Sequence, residues 1–174
     1  RTGLGLLYEI LGDALFETFG GAQCKEFVRE YREEKISAIE CFKKETSACG
    51  EVDKLKLDSF LDAQEIDETF HEFVEYCKSN NIEHYILSDG MDYYIKRILT
   101  RFGVSEVPVY SNILNLEAVN GSTSVKFRPE FPFTDEVCDR CASCKRNHIL
   151  TQAGDEDIIA YIGEGYSDRC PVRY

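Results

Sequence analysis

The chain has 174 residues, 43% of them hydrophobic, which is enough for a packed core and argues against disorder. Its 20 Lys and Arg against 32 Asp and Glu give a net charge of −12. So acidic a surface repels phosphate backbones and anionic headgroups, which disfavours nucleic-acid and membrane partners.

In chain order, residues 3–80 carry helical periodicity. Leu7, Ile10, Leu11, Ala14 and Leu15 share one face, and Gly20-Gly21 ends it. Phe27, Val28 and Tyr31 mark a second helix, and Ile36, Ile39 and Phe42 a third that stops at Gly50. Leu55, Leu57, Phe60 and Leu61 mark a short fourth. Ile66, Phe70, Phe73, Val74 and Cys77 form an amphipathic stripe that ends at Asn80-Asn81.

After residue 82 the pattern changes. His84-Tyr85-Ile86-Leu87 reads as a buried strand and Ser88-Asp89-Gly90 as the polar turn after it. Tyr94 to Phe102 reads as a helix closed by Gly103, and Val107 to Tyr110 as a second strand. Ile113–Leu116 and Ser124–Phe127 flank Asn120-Gly121, a hairpin signal. Lys145 to Ala153 reads as a helix, and Ile158–Ile162 as a parallel central strand ending in the loop Gly163 to Asp168. This order predicts an α/β fold: a parallel sheet in residues 66–174 with a helical accessory domain in residues 1–65.

The eight cysteines stand at 24, 41, 49, 77, 138, 141, 144 and 170. A chain this core-rich needs no disulfide framework, and no basic-then-apolar leader is visible, so a reducing, cytoplasmic location is expected. Cys138, Cys141, Cys144 and His148 leave three readings open: free thiols beside Lys145, a zinc site, or a disulfide.

Ligands of a parallel α/β sheet bind beyond the carboxyl ends of its strands. Two such ends carry Ser88-Asp89-Gly90 and Gly163-Glu164-Gly165 with Asp168, and Lys145 opens a helix between them. A serine hydroxyl and turn amides can donate to a phosphoryl group, a lysine can neutralise it, and Glu164 and Asp168 can hold Mg²⁺.

These three stretches resemble the second, third and fourth motifs of the haloacid-dehalogenase-like hydrolase superfamily, in its phosphoserine-phosphatase-like branch. Ser88-Asp89, Cys144-Lys145 and Cys170-Pro171 are similar to their counterparts in phosphocholine and phosphoethanolamine phosphatases. The resemblance implies a three-layer Rossmann-like sheet with a helical cap, and Mg²⁺-dependent hydrolysis of a small phosphorylated metabolite through an aspartyl-phosphate. It implies that Ser88, Asp89, Gly90 and Lys145 bind the phosphoryl group, with Ser88 and Lys145 catalytic, and that Glu164 and Asp168 serve the metal. Glu164 stands where the superfamily usually has Asp.

The superfamily's first motif, Asp-x-Asp-Gly-Thr, is absent from residues 1–174. Both ends of the core therefore look incomplete. A full-length parent is expected to be the enzyme, and this chain alone is expected not to turn over substrate. The alternatives are a phosphate-binding or regulatory protein without the nucleophile, and a zinc-binding interaction module. Acidic residues of the helical block, among them Glu9, Asp13 and Glu17, would suit a cationic head group. Oligomeric state is not readable.

Overall fold

The computed structural model describes residues 4–136, 140–163 and 165–173, with side chains from Leu11 onward and up to Val172. Cys138 and Glu164 fall outside the described residues, and Leu7, Glu9 and Ile10 outside the described side chains. Five helices come first: α1 (Leu4–Gly20), α2 (Gln23–Arg32), α3 (Ala38–Cys49), α4 (Lys54–Asp62) and α5 (Thr69–Ser79), with the two-residue strand β1 (Val52–Asp53) between α3 and α4. Then come β2 (Ile86–Met91), α6 (Asp92–Arg101), β3 (Val109–Ala118), β4 (Ser124–Glu130), α7 (Lys145–Gln152), a 3₁₀ turn (Tyr166–Asp168) and α8 (Arg169–Arg173).

Local chemistry sets these boundaries. At the start of α3 the Ser37 hydroxyl accepts from the Glu40 N–H at 3.2 Å, while the Glu40 carboxylate accepts from the Ser37 N–H at 2.8 Å, a reciprocal cap. Asp53 caps α4 by accepting from the Lys56 N–H at 3.0 Å. Asn81, with φ of 53°, ends α5 in the left-handed region that asparagine tolerates.

The sheet order is β1-β4-β3-β2. The β2–β3 pair is parallel, and β3–β4 and β4–β1 are antiparallel. The fold is thus mixed α/β, with one parallel pair among the described strands. The hairpin turns at Asn120-Gly121 as expected, but its first strand is longer: Val107–Tyr110 and Ile113–Leu116 belong largely to one ten-residue strand, β3. The helical segment packs into the same apolar cluster as the sheet. Leu15 and Phe16 of α1, Leu57 and Leu61 of α4, Ile95 of α6 and Phe127 of β4 are all buried there. The Phe16 ring meets those of Phe42 and Phe127 edge-on at 6.1 and 6.5 Å.

Ile158–Ile162 forms no strand, contrary to the sequence expectation. Ile158 is 100% exposed and Ile162 58%. A continuous apolar run becomes a central strand only when partner backbones flank it. Here β2 pairs with β3 alone among the described strands, and residues of β2 and 158–162 line one cavity rather than pairing.

Amide hydrogen exchange tests this difference. The amides of residues 158–162 are expected to exchange at loop rates, and those of residues 113–118 more slowly by orders of magnitude. Equal protection of the two segments would contradict the unpaired conformation.

Candidate functional site

One cavity of about 760 Å³ gathers Ser88, Asp89, Gly90, Lys145 and Asp168 on its lining. The β2–β3 register shifts between Leu87 and Met91, so the backbone leaves the ladder at Ser88–Gly90. Ser88 is buried, and its hydroxyl accepts from the Gly90 N–H at 3.1 Å, which leaves its own hydrogen to donate. A side chain at position 90 would collide with the Tyr94 hydroxyl, so the turn needs glycine there.

Asp89, on the same lining, is held by protein donors. Its carboxylate accepts from the Ser143 N–H at 2.7 Å, and its carbonyl accepts from the Asn112 amide at 2.7 Å. Burial raises the Asp89 carboxyl above its ordinary range, opposed by Lys145 and the Ser143 amide. Asp89 thereby ties β2 to β3 and to the loop that leads into α7.

Lys145 is the first residue of α7 and only 8% exposed. A cation there opposes the helix dipole, and burial adds a desolvation cost. Asp168 offsets both. The ammonium donates to Asp168 Oδ1 at 2.6 Å and to Ser167 Oγ at 2.9 Å, which among the described residues leaves one N–H. Both oxygens of Asp168 are engaged: Oδ1 also accepts from the Tyr161 hydroxyl, and Oδ2 from the Gly165 N–H at 2.8 Å, which leaves Oδ2 a further lone pair. Burial pushes its carboxyl up, and Lys145 and these donors outweigh that to hold it below the usual range. Gly163 packs so closely that a Cβ there would come within 2.6 Å of Asp168 Cγ.

Among the described residues, no group of three His, Cys, Asp or Glu side chains is placed to hold a metal. Glu164 lies outside the described residues. The spare lone pair of Asp168 Oδ2 suits a hard cation directly or through an intervening water. His148 sits in an aromatic cage, its ring 4.1 Å from that of Tyr110 and 5.5 Å from that of Phe133. Burial lowers its pKa. The seven described cysteines carry no disulfide, and Cys138, the eighth, lies outside the described residues.

Two further groups line the same cavity. Glu45 of α3 is 3% exposed and Tyr94 of α6 is fully buried; the Cys41 thiol bonds the Glu45 carboxyl, but among the described residues Glu45 Oε1 and the Tyr94 hydroxyl meet no hydrogen-bond partner. Burial, then the nearby Asp13, lifts the Glu45 carboxyl to about 8. The sequence held a signal for Glu45: it falls on the stripe Ala38, Cys41, Phe42, Cys49, where helical spacing calls for an apolar residue. Asp13 lines this cavity as well and pairs with Arg32 at 3.3 Å, while Glu17 forms a surface ion pair with Lys25 at 2.8 Å.

No protein-family model matches the chain. It is 26% identical over 108 residues to the 2-hydroxy-3-keto-5-methylthiopentenyl-1-phosphate phosphatase of Bacillus cereus strain B4264, an overlap of 62% of this chain and 47% of that protein. It is also 26% identical over 104 residues to the phosphatase of the same name from Bacillus mycoides strain KBAB4, 60% of this chain and 45% of that one. The chain thus spans about half the length of the curated relatives it matches. Among solved structures, a HAD family hydrolase from Salmonella enterica serovar Typhi superposes with a TM-score of 0.57 at 15% identity, over 70% of this chain and 40% of that one. These findings support a haloacid-dehalogenase-like assignment, and the superposition shows the shared fold.

Two outcomes follow from the charges. Lys145→Met strands the Asp168 carboxylate in a buried site and is expected to cost about 3–5 kcal/mol of stability by denaturant titration, whereas replacing both partners by apolar residues costs less. Glu45 holds in the folded state a proton that the unfolded chain releases near pH 4.5. Stability therefore falls as pH rises from there to about 8, by at most about 1.4 kcal/mol per pH unit. Glu45→Gln is expected to flatten that fall in thermal melts; parallel profiles for the two proteins would contradict it.

Proposed function

We propose that this haloacid-dehalogenase-like chain supplies the phosphate-anchoring residues of a phosphoric monoester hydrolase acting on a small phosphorylated metabolite. One observation carries the reading: the buried Lys145, held by Asp168, lines the same cavity as Ser88. Each offers a donor to a phosphoryl oxygen, in a site where burial strengthens both. Asp168 keeps the lysine charged and oriented. Asp89 acts as a positioning residue, through the Ser143 amide, for the start of α7.

Turnover needs a nucleophile that residues 1–174 do not supply in the expected motif. In the complete reaction a carboxylate attacks phosphorus, the leaving oxygen takes up a proton, and water then cleaves the aspartyl-phosphate. The Ser88 hydroxyl and the Lys145 ammonium hold the transferring group in place throughout. A bound Mg²⁺ would supply further charge neutralisation on the phosphoryl oxygens; Glu164 would ligate it, with Asp168 behind a water. In this reading residues 66–174 form a three-layer core and residues 1–65 cap the site, and the thiols accord with a cytoplasmic location. The second reading is a phosphate-binding protein without turnover, which the same donors at Ser88 and Lys145 would serve.

Calorimetry with inorganic phosphate tests the anchor. The chain is expected to bind phosphate, and Ser88→Ala to weaken binding about tenfold, the effect of one lost hydrogen bond to a charged group. Lys145→Arg keeps the charge but not the geometry, and is expected to weaken it as well. No phosphate binding by the unmodified chain would refute the proposal. Release of phosphate from an ester by residues 1–174 alone would refute the need for a further nucleophile.

A further inference from the structure

Glu45 and Tyr94 are expensive to keep as they are. A buried polar atom without a partner costs about 1–3 kcal/mol, and native proteins hold few of them. Glu45 could have been a leucine on the stripe of α3, and Tyr94 a phenylalanine at the start of α6. Instead a carboxyl and a phenol both line the cavity that holds Ser88 and Lys145. The Tyr94 hydroxyl lies against Gly12 and Gly90, and the position of Gly90 is in turn against Ser88 Oγ. Nearby cations are spent elsewhere: Arg32 pairs with Asp13 and Lys44 with Glu30.

The remaining groups around Glu45 set what it can receive. Among the described residues, Asp13 of α1, Cys24 of α2, Cys41 and Cys49 of α3 and Tyr94 of α6 act on it, and the one guanidinium on the lining, that of Arg32, is paired with Asp13. Asp89 adds a further negative influence at Tyr94. This end of the cavity therefore repels a carboxylate or a second phosphate. It accepts hydrogen bonds, and the rings of Phe16 and Phe42 give it apolar walls suited to a short carbon skeleton.

We propose that Glu45 and Tyr94 are specificity-determining residues that receive an O–H or N–H donor carried on the leaving-group side of a phosphomonoester. The assignment rests on the phosphate being anchored at Ser88 and Lys145. A hydroxyl donates to Glu45 and accepts from Tyr94, and an ammonium donates to both. The two sources differ in their protons. Burial keeps the empty-site carboxyl largely protonated at neutral pH, so an ammonium draws that proton off whereas a hydroxyl leaves it.

The experiment is calorimetry on the chain with four probes: inorganic phosphate, propyl phosphate, 2-hydroxyethyl phosphate and 2-aminoethyl phosphate. At least one donor-bearing ester is expected to bind about tenfold or more tightly than propyl phosphate, because a site built to hydrogen-bond a group rejects the analogue lacking it. Titration in buffers of different ionisation enthalpy counts the protons released and separates the ammonium from the hydroxyl. Glu45→Leu is expected to bring all three esters within about twofold of each other while leaving propyl phosphate unchanged, and to melt higher than the parent in the absence of ligand. Where Glu45→Leu fails to fold, Tyr94→Phe carries the same expectation of reduced preference.

Binding of phosphate with no preference among the esters would overturn the assignment and leave the anchor standing, as would an unchanged preference in Glu45→Leu. Failure of inorganic phosphate to bind would remove the anchor first, and the assignment with it.

Discussion

A buried ammonium at the start of a helix is the costly feature around which the site is built. Lys145 stands where the dipole of α7 disfavours it and where water is largely excluded. Its partner, Asp168, must therefore be present, ionised and held still. The Tyr161 hydroxyl and the Gly165 amide fix that carboxylate, and Gly163 leaves room for it. On the other side, Asp89 reaches 54 residues along the chain to the Ser143 amide and so fixes where α7 begins. Three stretches far apart in sequence meet because each satisfies a polar group that another would leave bare.

The helical half was legible because its signals are local. Gly20-Gly21, Gly50 and Asn80-Asn81 end helices where their left-handed tolerance allows, and the Ser37–Glu40 pair starts one. Ile158–Ile162 misled because an apolar run reports burial only if something is there to bury it, and periodicity carries no knowledge of partners. Val107–Tyr110 and Ile113–Leu116 read as two strands, although no glycine or proline interrupts residues 109–118, which form one. At the site, strand-end placement brought attention to Ser88, Lys145 and Asp168, but the direction of the Asp89 carboxylate depends on a loop with no pattern of its own. Glu45 was overlooked because a glutamate among the charges of α3 looks like surface until its spacing against Cys41 and Cys49 is counted.

The cavity is electrically uneven. Its lining carries a lysine ammonium and a serine hydroxyl, both donors, together with a carboxyl and a phenol near Asp13. A ligand with an anion at one end and a donor at the other would find its orientation set by electrostatics before any close packing is reached. The overall charge of −12 sharpens this contrast, since a buried cation stands out more against an acidic background.

The contact between positions 90 and 94 reaches beyond a single molecule. Because a methyl group at 90 would occupy the space of the Tyr94 hydroxyl, neither residue is free to drift by itself. Among relatives that share this turn, alanine or serine should arise at the first position only where the second has lost its oxygen, so that the two vary as a linked pair through descent.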